Sequence, residues 1–110
     1  MAHFMFSLNY SAQSKNALLA NPTDRTAAAV AAAKALGGKL ICGYGTLGKY
    51  DMIAIAELPS QEAAAALSVT LGASGGFNCI ETTVLLTADE MMAAVHTAKK
   101  SLSGYKPPGK

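Results

Sequence analysis

The sequence predicts an α+β domain: strand, helix, strand, strand, helix, strand, then an extra C-terminal helix. Three observations carry this reading. His3–Tyr10 places apolar residues at period two, and Met52–Leu58 is a short run apolar on both faces. Alanine- and leucine-rich segments between them follow helix start signals at Asn21-Pro22, Ser60-Gln61-Glu62 and Thr87-Ala88-Asp89-Glu90. A glycine-bracketed turn, Gly45-Thr46-Leu47-Gly48, joins two of the strands directly.

The first strand, His3–Tyr10, puts Phe4, Phe6, Leu8 and Tyr10 on one face, the face that packs on helices. His3, Met5, Ser7 and Asn9 fall on the other, a mixed surface that suits a partner subunit or a cavity wall. Ser11–Ala20 reads as a polar connection with room for a short helical turn. In the first helix Asn21 caps, Pro22 takes the first helical position and Asp24 complements the positive helix end. The body is alanine with Val30 and Leu36, and Gly37-Gly38 stops it as a left-handed cap. Small residues let such a helix sit close to a sheet. Arg25 is a cation where an anion is favoured; it is either solvated or meets a carboxylate of a ligand or of another subunit.

Lys39–Tyr44 is the second strand. The third, Met52–Leu58, is apolar on both faces and reads as central. The next helix has Ala63–Leu71 as its body, with Leu67 and Leu71 toward the core. Gly72–Gly76 reads as a loop, without the lysine or spacing of a phosphate loop. Phe77–Leu86 is a long last strand with Glu81 at its middle, on the face of Cys79 and Thr83. A charge there needs water or a partner, and an ion pair across a subunit boundary is the expected one. The last helix carries Met91, Val95, Ala98 and Leu102 on one stripe, to lie against the body or across a dimer, with His96 off the stripe and exposed. Residues 1–103 form one domain and residues 104–110 a flexible tail.

A βαββαβ order with right-handed crossovers gives a ferredoxin-like unit. Its four-stranded antiparallel sheet has the strand order 4-1-3-2 and helices on one face only. The uncovered face is too apolar for water, so the chain is expected to self-associate through it and close a barrel across two subunits. The same order puts Cys42 and Cys79 on opposite edges, three strand spacings or roughly 14 Å apart. That exceeds what a disulfide spans, so both are expected as buried free thiols.

Composition narrows the function classes. Of 110 residues, 51% are hydrophobic and 15% charged, enough for a core, and the net charge of +2 does not argue for nucleic acid. No apolar run is long enough for a membrane span and no secretory signal opens the chain, so the cytoplasm is expected. No spacing implies a metal or cofactor.

Gly48-x-Tyr50-Asp51 resembles the motif that names the GYD-domain family of small bacterial and archaeal proteins. The resemblance extends to Asn9-Tyr10, Pro22-x-x-Arg25, Leu36-Gly37-Gly38-Lys39-Leu40 and Glu81-Thr82-Thr83, over roughly residues 3 to 95. It implies a ferredoxin-like fold that pairs into a dimeric α/β barrel, and it carries over no catalytic residue. This chain departs from the pattern in its alanine richness and its Lys-Pro-Pro tail.

Candidate ligand-binding residues are His3, Asn9, Arg25, Tyr44, Tyr50, Asp51 and Glu81, expected around a cavity over the open sheet face. Asp51 is read first as a turn cap and Tyr50 as a half-buried ring with a polar contact at its hydroxyl. Two functions stand. One is an oligomeric module that binds a small polar or aromatic ligand or another protein. The other is a cofactor-free isomerase or monooxygenase.

Overall fold

A computed structural model describes residues 1–110. The elements are β1 (Ala2–Tyr10), α1 (Ala12–Ala20), α2 (Thr26–Ala35), β2 (Lys39–Gly45), β3 (Met52–Leu58), α3 (Gln61–Ala73), β4 (Phe77–Leu85) and α4 (Ala88–Ser101), with a short 3₁₀ turn at Leu102–Gly104. The sheet order is β2-β3-β1-β4, with every neighbouring pair antiparallel. This is the expected ferredoxin-like topology, with one additional helix, α1.

Period-two alternation sets the register. Phe4, Phe6 and Leu8 of β1 and Ala54, Ala56 and Leu58 of β3 are buried under the helix layer, together with Ala33, Ala64 and Leu67. The opposite face carries Met5 beside Ile55 and Thr83, Ser7 beside Ile53 and Glu81, and Cys42 beside Ile55. A bulge between Leu40 and Cys42 resets β2 so that both residues keep an apolar neighbour.

Helix ends follow local chemistry. Ser11 caps α1 by accepting from the Ser14 N–H, and Ser60 caps α3 by accepting from the Ala63 N–H. Thr87 and Glu90 form the reciprocal capping box of α4. α2 ends in a Schellman motif: the Gly38 N–H donates to Ala33 O and the Gly37 N–H to Lys34 O, each at 3.0 Å, with Gly37 at φ +81°.

Four expectations are corrected. Asn21 does not start α2; it closes α1, its N–H reaching Ala17 O, because the Ser11 cap commits the preceding residues to a helix. α2 starts at Thr26, whose N–H is taken by the Asp24 carboxylate, and Arg25 holds the cap position without a side-chain bond. Gly72 lies inside α3 rather than in a loop. The thiols are not buried: Cys79 is exposed and Cys42 half-buried, though their strands do lie at opposite edges.

The largest departure concerns α4. Every residue from Thr87 to Lys110 is exposed, including the apolar stripe. Met91, Val95 and Leu102 are 53%, 50% and 74% exposed. The helix therefore does not lie against the body of its own chain. The radius of gyration is 17.7 Å, against roughly 13 Å for a compact domain of this length. No helix is long and apolar enough to cross a membrane.

Candidate functional site

The loop between β2 and β3, Thr46–Asp51, organises the polar chemistry. Gly48 supplies a positive φ of +124°, which lets the chain reverse. The Thr46 N–H donates to Asp51 O at 2.9 Å and the Thr46 hydroxyl to Tyr50 O at 2.6 Å, closing the loop on itself. The loop is then tied to β1. The Asp51 N–H donates to Leu8 O at 2.8 Å, and the Asn9 amide donates to Lys49 O at 2.7 Å.

Asp51 serves the fold as an acceptor, for a different donor than expected. Its carboxylate takes the Tyr10 N–H at 2.9 Å, at the point where β1–β4 pairing shifts register. Lys15 of α1 stands 3.6 Å from the same oxygen. The Tyr10 N–H, above all, and then Lys15 hold the Asp51 carboxyl below the usual carboxylate range.

Tyr50 is half-buried, and its hydroxyl donates to the Glu81 carboxylate on β4. Lys49 Nζ lies 5.5 Å from the centre of the Tyr50 ring. The bond to Glu81, with burial and the nearby negative charge adding to it, pushes the Tyr50 phenol up to about 12. Glu81 is therefore partnered inside its own chain, where an ion pair with another subunit was expected.

Asn9, Tyr50, Asp51 and Glu81 gather at this loop: Tyr50 bonds Glu81, Asn9 bonds Lys49 O and Asp51 takes the Tyr10 N–H. His3 does not join them. It lies six residues back along β1, paired with Glu57 and Leu85, and its Nδ1 is buried without a partner. That separation is roughly 20 Å along a strand.

Arg25 and Tyr44 meet Asp51 elsewhere, around a concavity of about 240 Å³ that Tyr10, Asp24 and Met52 also line. It opens along the helix side of the sheet, not over the open face. A single chain's open face is a surface rather than a pocket, so the expected sheet-face cavity needs a second wall. The sequence reading missed Lys15 and the role of Met52, whose sulfur accepts from the Tyr10 hydroxyl at 3.4 Å. Neither carries a local signal, since both act on residues about forty positions away.

A sequence profile of the GYD domain matches residues 4–95. Among solved structures the chain is similar to TTHA0845 from Thermus thermophilus, with a TM-score of 0.52 and 19% identity over 80% of this chain and 96% of that one. It is also similar to FFRP-DM1, with a TM-score of 0.48 and 14% identity over 78% of this chain and 100% of that one. At these identities the first likeness speaks to the fold alone, and the second carries no argument. No curated protein matches the sequence.

Proposed function

From a chain that belongs to the GYD-domain family we infer an oligomeric binding module, in which two copies join through their open sheet faces and close a barrel. One observation carries this. The single chain exposes 7660 Å², against roughly 5,700 Å² for a compact monomer of 11.2 kDa. The excess of about 2,000 Å² is more than the ~800 Å² per partner that a stable interface needs. Part of it lies on the bare stripe of α4, where Met91, Val95 and Leu102 are exposed, and the sheet face adds the half-buried Met5, Ile53 and Ile55.

In this reading α4 crosses to the second copy, and Met91, Val95 and Leu102 are covered there. The joined faces enclose Asn9, Tyr50 and Glu81, which face a small polar or aromatic ligand, while His3, roughly 20 Å away along β1, stands outside that contact. Residues 1–103 are the working domain, residues 104–110 add a flexible tail, and the module acts in the cytoplasm. The isomerase or monooxygenase alternative has no observation in its favour. A proton-transfer group works best near the operating pH, whereas Tyr50 is pushed up to about 12 and Asp51 is held low.

Light scattering of the purified protein at micromolar concentration tests the assembly. A dimer or a multiple of it is expected, and Ile55→Asp is expected to give monomer. A stable, folded wild-type monomer refutes the reading.

A further inference from the structure

Seven of the ten residues of α2 are alanine. Such a helix can approach a sheet closely, yet here it leaves a space. An apolar cavity of about 100 Å³ lies between α2, α3 and the sheet, with Ala29, Ala32 and Ala33 above, Leu8 and Met52 below and Leu71 at the side. At one end Tyr10 stacks on Phe77, with 5.4 Å between ring centres. Interiors are close-packed, and an apolar space of this size accepts apolar guests.

Arg25 is the only charged residue lining this cavity. It also lines the 240 Å³ concavity beside it, which shares Tyr10, Ala29, Leu40 and Met52 with the first. The two form one space with an apolar end and a polar end, and Arg25 stands at their junction. The guanidinium has no ion pair and no hydrogen bond. The two acids on the rim are already engaged. Asp24 accepts the Thr26 N–H at 2.9 Å, and Asp51 accepts the Tyr10 N–H at 2.9 Å with Lys15 at 3.6 Å. Arg25 is thus the one uncommitted charge at the mouth.

We propose that this space binds a small monocarboxylate with a compact apolar body, the body between α2 and the sheet and the carboxylate on Arg25. A planar guanidinium fits a carboxylate with two parallel bonds. The body is limited to about four to six carbons, since a cavity of ~150 Å³ takes benzene. Asp24 and Asp51 restrict the guest to one negative charge, because a second carboxylate would face them. The cavity is built within one chain and does not depend on the sheet-face assembly.

Calorimetric titration of the intact protein with benzoate and 3-methylbutanoate, and with their amides, tests the proposal. The acids are expected to bind saturably and to raise the melting temperature, and the amides to bind at least tenfold more weakly. Arg25→Gln, at an exposed position, is expected to melt like wild type and to bind acid and amide equally. Ala32→Leu fills the apolar end; it is expected to melt at or above wild type and to bind neither. Saturable binding of the acids that survives Ala32→Leu, equal binding of acids and amides by wild type, or no saturable binding of either acid overturns the proposal. Light scattering on the same samples reads assembly separately, so failure here and failure of the oligomer are told apart.

Discussion

Glu81→Gln tests the Tyr50–Glu81 pair directly. The wild-type Tyr50 phenol is pushed up from 10.0 to about 12, first by its hydrogen bond to Glu81, then by burial, then by the charges of Glu81 and Cys79. Two pH units correspond to about a hundredfold difference in proton affinity. The chain has four tyrosines and no tryptophan, so phenolate absorbance reports them cleanly. Wild type is expected to show a late step worth one tyrosine in four near pH 12. The sign follows from the raised value. The folded state holds the Tyr50 proton more tightly than the unfolded chain does. The stabilisation it gives is therefore fully present below pH 10.0 and is lost as pH rises through about 12. Glutamine keeps an acceptor oxygen but removes the charge, so the late step in Glu81→Gln is expected to move to lower pH. Circular dichroism recorded alongside checks that the chain is still folded. The absence of any step near pH 12 in wild type, or a late step that persists in Glu81→Gln, refutes the assignment of Glu81 as the cause.

Gly38→Ala tests the junction of α2 and β2: a Cβ there would lie 2.0 Å from Glu57 O and 2.8 Å from Leu58 Cδ2, so backbone must shift. A loss of ~3 kcal/mol, the upper part of the usual overpacking range, is expected in urea unfolding, and wild-type stability would contradict the packing. At Asp51, Ala should melt lower than Asn at neutral pH, because only Asn keeps an acceptor for the Tyr10 N–H. Since the Asp51 value is lowered, the charge-dependent part of its contribution is present above the ordinary 3.8 and is lost as pH falls, so the Asp51→Ala deficit should shrink in acid toward the Ala–Asn difference, which a neutral acceptor maintains; a pH-independent deficit would point to another cause.

The strands and their faces were legible because alternation is local and unambiguous: Phe4, Phe6 and Leu8 announce a buried face without knowledge of any neighbour. Capping was legible where a side chain bonds its own helix, as at Ser60 and Thr87. α1 was not legible as a full helix because it buries none of its residues and so has no stripe to read. Its presence then displaced the start of α2 from Asn21 to Thr26. For Asp51 and Glu81 the need for a partner was readable, but the partners Tyr10 and Tyr50 lie 41 and 31 positions away. Alanine in α2 was read as a licence for close packing. The structure shows the other consequence of small side chains, an unfilled space, and only the placement of α2 against α3 and the sheet decides between the two.

The loop Thr46–Asp51 links the two surfaces that the single chain leaves unsatisfied. Tyr50 reaches Glu81 on the open face of the sheet, while the next residue, Asp51, rims the concavity on the helix side. Adjacent residues in an extended chain point to opposite faces, so one short loop has a side chain on each. Its hold on β1 through Leu8 O, Asn9 and the Tyr10 N–H fixes both at once. A change that loosens this hold must be felt on both sides, whereas Ile55→Asp touches only the sheet face and Ala32→Leu only the cavity. The loop bearing the family motif is therefore one place where the proposed assembly face and the proposed binding cavity share a physical wall. The geometry gives a reason for a Tyr-Asp pair there that neither surface supplies alone.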